Sequence, residues 1–303
     1  MIDPFGRTVK GLRVSLTQRC NLKCVYCHHE GEGGGSSEMT LDEVLRMMRV
    51  AKSVGVRRVK YTGGEPLLRL DLAEIIGGTV AMGMDDVAIT TNGTLLKQRA
   101  HALWDAGLRR INVSLPSVRP CVYASLTKGA LAEVFSGIKI AKDLGIDVKI
   151  NAVIMKDIND DEVDELLGYA RGIGGALQLI ELEDLNLDAE FFRRHYFDLS
   201  GVESRLSAMA DRVETRGEMN NRKRYLIGSL TVEVVRPANS AHFCANCTRL
   251  RVTSDGRLKP CLMRSDNLID ALGPMRSGCS DSDIRRLFEE ASKLREPYYR
   301  QAS

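Results

Sequence analysis

Six of the eight cysteines in this 303-residue sequence fall into two tight groups. The first is Cys20, Cys24 and Cys27, spaced C-x3-C-x2-C just after the apolar run Leu12-Arg13-Val14-Ser15-Leu16. Thiolates are soft ligands that favour zinc, copper(I) or iron–sulfur clusters. A loop this short can wrap one compact centre, but three sulfurs leave one iron of a four-iron cubane without a protein ligand. At a catalytic metal an open coordination position is where a substrate binds. A structural zinc completed by His28 or His29 would use the same spacing, although adjacent histidines beside a glycine-rich stretch are more often solvated.

The second group is Cys244 and Cys247, followed after thirteen residues by Cys261. In isolation this spacing suits a cluster and a zinc knuckle equally, with His242 or Cys279 as the fourth zinc ligand. Arg249 and Arg251 follow directly. Residues two apart on an extended segment face the same way, so both guanidiniums can fork onto phosphate oxygens or a purine edge. Cys121 and Cys279 read as buried thiols. His195 and His242 read as structural, and Arg222-Lys223-Arg224 as a solvated face.

The elements that must hold these residues alternate from residue 11 to about 182. Strand candidates are Leu12–Leu16, Arg58–Thr62, Asp86–Thr90, Arg110–Leu115, Asp147–Val153 and Leu177–Glu181. Helix candidates lie near 40–53, 70–82, 95–106, 130–144 and 160–172. Thr40 and Glu43 form a capping box, and Gly55, Gly83, Gly107, Gly145 and Gly174 follow the helices where a left-handed residue is needed. Units of roughly 30 residues argue for parallel strands with right-handed crossovers. The expected fold is a partial (β/α)6 TIM-like barrel over residues 1–182, with a C-terminal extension over 183–303 that carries the second cysteine group and closes the barrel mouth.

In such barrels chemistry sits at the C-terminal ends of the strands. Here those ends are the first cysteine loop, Gly63-Gly64-Glu65-Pro66, Thr90-Thr91-Asn92-Gly93, Ser114, Asn151 and Glu181. Two glycines in the second turn would let a ligand approach the backbone and bond its N–H groups. Beyond 182 the alternation is lost. Phe191–Tyr196 reads as an amphipathic helix and Leu230–Val235 as a strand.

The bulk composition narrows the function without choosing it. With 44% hydrophobic and 27% charged residues, the chain can bury a large core. A formal charge of +3 suits an anionic small molecule as well as a polynucleotide. Aromatics are only 5% and do not interleave with basic residues as a single-strand stacking platform requires, so no nucleic acid is expected. No run of eighteen apolar residues and no apolar leader is visible, so a cytoplasmic protein with no membrane partner is expected.

The octapeptide from Cys20 to Cys27, with Tyr26 as its aromatic, resembles the signature of the radical S-adenosylmethionine (SAM) superfamily. That resemblance implies a [4Fe-4S] cluster on Cys20, Cys24 and Cys27, and tips Cys244, Cys247 and Cys261 towards a second. It implies that Tyr26 packs near the adenine of SAM and that Gly63, Gly64 and Ser114 contact the same ligand. Nearly end to end, from Gly6-Arg7 to Lys259-Pro260-Cys261-Leu262, the sequence is similar to the GTP 3′,8-cyclase (MoaA) family in its archaeal-type form. The bacterial members' C-terminal double glycine is replaced here by an end reading Arg300-Gln301-Ala302-Ser303.

The resemblance implies a lyase that turns GTP into (8S)-3′,8-cyclo-7,8-dihydroguanosine 5′-triphosphate, the opening step of molybdenum cofactor biosynthesis. The cleaved SAM would yield a 5′-deoxyadenosyl radical that takes a hydrogen from C3′, while the second cluster holds the guanine. GTP contacts would be Arg13, Lys60, Thr90, Lys149, Arg249, Leu250 and Arg251. Glu183 stands where the family has a SAM-contacting methionine, so that contact is not carried over. Ser114-Leu115-Pro116 likewise lacks an acidic residue usual after the strand. Implied partners are an electron donor and a cyclic pyranopterin monophosphate synthase that takes the product, with a homodimer as one option for assembly. The competing readings are a radical SAM enzyme acting on a peptide or another small molecule, and a zinc-stabilised binding protein.

Overall fold

Six hydrophobic strand cores are the framework on which the cysteine loops hang. The computed structural model of the chain describes residues 1–32, 37–217, 220–237 and 241–299. The expected Arg300–Ser303 end lies outside the described residues. Parallel strands β1 (Gly11–Ser15), β2 (Arg58–Thr62), β3 (Asp86–Thr91), β4 (Arg110–Ser114), β5 (Asp147–Ile154) and β6 (Ala176–Glu181) pair in sequence order. Between them run α1 (Leu41–Ser53), α2 (Leu72–Ala81), α3 (Leu96–Asp105), α4 (Pro120–Thr127), α5 (Leu131–Asp143) and α6 (Val163–Gly172).

Alternation along each strand separates core from cavity. On β5, Val148, Ile150, Ala152 and Ile154 are buried in the hydrophobic core, while Lys149, Asn151 and Val153 line the cavity. Burying each valine or isoleucine among them stabilises the fold by roughly 1.5–3 kcal/mol. The capping box on α1 is present, with Thr40 N donating to Glu43 Oε2 at 2.8 Å and Glu43 N to Thr40 Oγ1 at 3.3 Å. All five glycines named as helix terminators take positive φ.

Three features differ from the sequence reading. First, the sheet is wider than six strands. The extension adds α7 (Ala189–His195), α8 (Ser200–Met209), β7 (Arg212–Arg216), β8 (Arg222–Ile227), β9 (Leu230–Val235), α9 (Ala241–Ala245), β10 (Arg249–Val252), β11 (Arg257–Lys259), β12 (Ile269–Asp270), α10 (Leu272–Arg276) and α11 (Asp281–Lys293). Strand β10 pairs parallel with β1, and β9 parallel with β6, giving the order β12-β11-β10-β1-β2-β3-β4-β5-β6-β9-β8-β7 among the described residues. The sheet does not close, so the barrel is partial.

Second, α4 was missed: the sequence reading placed a single helix, near 130–144, between the fourth and fifth strands, where the structure has two. Cys121 sits on α4 exposed rather than buried, and Cys279 is half-buried, packed against the core. Third, Arg222 is not on a solvated face: it is 7% exposed and turned into the cavity. No helix among the described residues is long and apolar enough to cross a membrane.

Candidate active site

A cavity of about 860 Å³ fills the concave side of the sheet, and all six grouped cysteines line it. Tyr26, Gly63, Gly64 and Ser114 share the same wall with Arg13, Lys60, Thr90, Lys149, Arg249 and Arg251. Leu250 is the exception among the expected contacts. It is fully buried in the core on the opposite face of β10, as the alternation that turns its two arginine neighbours inward requires.

The first cysteine loop is held by backbone fit. Gly64 N donates to Thr17 O at 2.7 Å and Glu65 N to Arg19 O at 2.8 Å. A Cβ at Gly63 would lie 2.4 Å from Thr17 O, and one at Gly64 2.2 Å from Arg19 O. The two glycines therefore admit the cysteine loop itself, which the sequence argument about ligand approach did not foresee. Glu65 fixes the turn from beneath, accepting from Thr91 Oγ1 (2.6 Å), Asn92 N (2.7 Å) and Leu67 N (3.0 Å). Burial raises its carboxyl to about 7 despite these bonds. The thiols are pushed up by burial, Cys24 to about 12 with Cys27 and Cys20 adding repulsion. Tyr26 packs against Leu126, Met155 and Leu182, an apolar wall at the cavity edge.

The second loop is held by buried charge. Asp3 pairs with Arg7 at 2.7 Å and with Arg295 at 2.9 Å, and these side chains are almost wholly buried. Arg7 Nη1 then donates to Cys244 O at 2.9 Å, and Arg295 Nη2 donates to Cys247 O. Tyr299 N approaches Cys244 Sγ at 3.5 Å. Burial alone would raise the Cys247 thiol, but Arg249, Arg295 and Arg7 together pull it below its ordinary value.

Between the loops the sheet register sets Arg251, Arg13 and Lys60 side by side on β10, β1 and β2. Two carboxylates that the sequence reading missed sit among these cations. Glu30, just past Cys27, pairs with Arg13 and, at 2.7 Å, with Arg251, and accepts from Thr62 Oγ1 at 3.0 Å. Burial works against its charge, but Arg13 and Arg251 hold it down at about 2. Its backbone is left-handed, φ 54°, a conformation that costs a non-glycine residue about 1 kcal/mol or more. Lys259 braces the same segment by donating to Gly31 O at 2.9 Å.

The second carboxylate, Glu233, pairs with Lys149 at 3.0 Å. Among the described residues no carboxylate pairs with Lys60 or Arg249. Burial depresses Lys60 well below its ordinary value, with Arg13 and Arg110 adding repulsion, and takes Arg249 to about 9. Arg249 donates instead to Asn220 Oδ1 at 3.0 Å. Glu233 was visible in principle as a charge interrupting the β-branched run of Leu230–Val235, whereas Glu30 stood beside two histidines that drew the metal-ligand argument.

These residues fit iron–sulfur clusters and SAM. Each loop offers three thiols to one cavity, and thiolate is the donor such clusters take. Among the described residues no three His, Cys, Asp or Glu side chains are close enough to hold a single ion. A tetrahedral zinc needs sulfurs about 3.8 Å apart, but thiolates that each bind a different iron do not converge on one point. Thr90 Oγ1 and Asn151 Oδ1 are buried at the cavity wall without hydrogen-bond partners among the described residues, as groups awaiting a polar ligand would be.

Comparison with known proteins agrees. The Radical SAM superfamily pattern matches residues 14–170, and that of Molybdenum Cofactor Synthesis C matches 175–301. A probable GTP 3′,8-cyclase of Methanothermobacter thermautotrophicus is 45% identical over 302 residues, covering 98% of each chain. One of Thermococcus kodakarensis is 45% identical over 309 residues, covering 99% of this chain and 100% of its own. Among solved structures, Streptococcus suis SuiB bound to S-adenosylmethionine superposes with a TM-score of 0.69 at 17% identity, over 98% of this chain and 78% of that one, a likeness of fold. The chain belongs to the GTP 3′,8-cyclase family of the radical SAM superfamily.

Proposed function

We propose that this protein is a lyase that joins C3′ of the ribose to C8 of the guanine in GTP, using SAM and two [4Fe-4S] clusters. The observation that carries the reading is the meeting of both cysteine triplets and the Arg251–Arg13–Lys60 row in one cavity. Cys20, Cys24 and Cys27 would hold the SAM cluster, and Cys244, Cys247 and Cys261 the cluster beside the substrate. When bound, the first cluster supplies the one-electron cleavage of SAM that starts hydrogen abstraction at C3′.

The chain's own work is positional and electrostatic. Gly63, Gly64 and Ser114 would take the amino acid end of SAM, and Tyr26 with its apolar neighbours the adenine. Arg13, Lys60, Lys149, Arg249 and Arg251 would bind the triphosphate, as charge-assisted bonds from several cations suit a polyanion, with Thr90 supplying a hydroxyl. Leu250 would act only by holding β10 in register. The concave sheet and the extension keep the reacting carbon from bulk water. Residues 1–182 would serve SAM and 183–303 mainly the substrate. In the cell we place the enzyme in the cytoplasm, fed by an electron donor and handing its product to a cyclic pyranopterin monophosphate synthase. Anaerobic turnover of the reconstituted protein with GTP, SAM and a reductant should give 5′-deoxyadenosine and a cyclised nucleotide in equal amounts. SAM cleavage that GTP neither stimulates nor turns into a cyclised nucleotide would refute the assignment and favour a peptide or other substrate.

A further inference from the structure

One short segment, His28–Gly31, touches both cysteine loops and two arginines of the cavity wall. Glu30 Oε1 accepts from Arg13 Nη2 of β1 and, at 3.0 Å, from Thr62 Oγ1 at the end of β2. Its Oε2 accepts from Arg251 Nη1 of β10 at 2.7 Å. The carboxylate thus ties three neighbouring strands together, and Thr62 directly precedes Gly63-Gly64. Cys27 of the first loop stands three residues before it. On the far side, Gly31 O accepts from Lys259 Nζ at 2.9 Å and from Ser265 Oγ at 3.3 Å. A Cβ at Gly31 would lie 2.6 Å from Leu262 O, and Leu262 follows Cys261 of the second loop.

These contacts hold an unfavourable backbone in place. His29, Glu30 and Gly31 take φ of 48°, 54° and 66°, and left-handed geometry is costly for the first two. Glu30 is also only 6% exposed, and a carboxylate is taken out of water only where its oxygens are paired. Its two arginines keep donors to spare. Each gives Glu30 one nitrogen of a guanidinium that carries five N–H donors. Arg13 Nε is buried without a partner among the described residues. Both arginines line the cavity, so each can hold Glu30 and a ligand at once.

We propose that Glu30 is a positioning residue that sets the nucleotide in register with SAM, by joining Arg13 and Arg251 to the segment that links the two cysteine loops. The proposal rests on the GTP reading and deepens it: the arginines supply affinity, and Glu30 fixes where the ribose C3′ lies relative to SAM. The family resemblance assigned no role to this residue. A glutamine here can accept from one arginine but turns its amide N–H groups towards the other, so one link is lost while the size is kept. An aspartate keeps the charge and loses the reach. A misplacement of about 1 Å can cost about a hundredfold in rate, so hydrogen transfer should fail before binding does.

The test uses the anaerobically reconstituted holoenzyme and GTP deuterated at C3′, with iron content and melting temperature checked for each variant. Productive turnover moves the C3′ deuterium onto 5′-deoxyadenosine. Uncoupled SAM cleavage completes 5′-deoxyadenosine instead with an electron from the reductant and a proton from solvent. Wild type should form 5′-deoxyadenosine and cyclised nucleotide in equal amounts, with deuterium in nearly all of the former. E30Q and E30D should bind GTP and SAM no more than about threefold more weakly, yet release at least about five 5′-deoxyadenosines per cyclised nucleotide, mostly without deuterium. E30D, which keeps the charge, guards against an E30Q that misfolds. Amide hydrogen exchange at residues 28–31 is a readout free of turnover: GTP should slow it about tenfold in wild type and less than about twofold in E30Q. A folded E30Q that stays coupled, or an E30D that couples like wild type, overturns the positioning role and leaves the GTP reading intact. So does exchange at residues 28–31 that ignores GTP in wild type. Failure of wild type to bind GTP at all removes the functional reading, and the role of Glu30 with it.

Discussion

The two cysteine loops present the same number of thiols to one cavity and are secured by opposite means. The first is seated by close backbone contact, with Gly63 and Gly64 pressed against Thr17 O and Arg19 O, and its thiols are raised by burial and mutual repulsion. The second is seated by a buried ion cluster of Asp3, Arg7 and Arg295, and its Cys247 is lowered by surrounding guanidiniums. Shape fixes one loop and charge fixes the other. This division matches their partners: SAM, whose sulfonium is cationic, would meet the loop whose thiols feel no net cationic pull, and an anionic nucleotide the loop ringed by arginines.

The largest effect should come from attacking the shape-fixed loop. G64A places a methyl 2.2 Å from Arg19 O, which is backbone and cannot move aside without displacing Cys20. Reconstituted G64A should hold about four irons per chain instead of about eight, by cubane stoichiometry, and SAM cleavage should fall to background. A full complement of iron would mean that the loop is not held by this contact.

The complementary blow, R295A, removes the donor to Cys247 O and one of two cations on buried Asp3. Breaking a buried pair of this kind costs about 3 kcal/mol, so the melting temperature should drop. Iron should again fall to about four, but uncoupled SAM cleavage without GTP should survive. If R295A loses SAM cleavage as completely as G64A, the two loops are not independently secured and the contrast fails.

How far this arrangement could be read in advance follows from the same contrast. The six strands and five of the six helices between them were legible because β-branched runs, capping residues and helix-ending glycines are local signals. The cysteine triplets were legible because spacing is itself a sequence property. What escaped was long-range. Asp3 and Arg295 are buried against each other from the two ends of the chain, and no local pattern marks that. Arg222 looked like part of a basic surface triplet because its partner, Glu233, sits across a hairpin on the next strand. Glu30 was hidden by its loop: only the fold brings Arg13 and Arg251, far apart in sequence, onto its carboxylate. The place of β10 beside β1 was equally invisible, since parallel pairing between segments so far apart in sequence leaves no mark in either of them.

A smaller effect tests the cationic side of the contrast through pH. Lys149 is lowered to about 8 by burial, with Glu233 opposing that drop, whereas an unfolded lysine titrates near 10.4. Between those values the unfolded chain keeps a proton that the folded one has lost, so this group's contribution to stability rises with pH. Nucleotide binding moves the other way, because the neutral amine no longer attracts phosphate. GTP affinity should therefore weaken by up to about tenfold per unit above pH 8, and K149R should flatten that limb. Lys259, also lowered to about 8 by burial and by Arg251, donates to Gly31 O and does not line the cavity, so its titration should appear in melting curves more than in GTP affinity. A limb that persists in K149R would move the effect elsewhere.

The smallest expected change is the sharpest check on the proposal that a cluster at the second loop keeps an open iron. Cys279 is one candidate fourth ligand that the sequence offers beside Cys244, Cys247 and Cys261, and a closed four-cysteine set would make that loop structural. In the fold Cys279 instead follows α10, packs against the hydrophobic core, and offers its carbonyl to Arg46. It is absent from the cavity wall that the other three share. C279S should leave iron at about eight per chain and GTP binding unchanged, and should lower stability by only about 1 kcal/mol, as for a hydroxyl replacing a thiol packed against the core. Loss of four irons in C279S would show the second centre to be closed by protein. A closed centre has no coordination position for guanine, and the charge around Cys247 would then need another purpose.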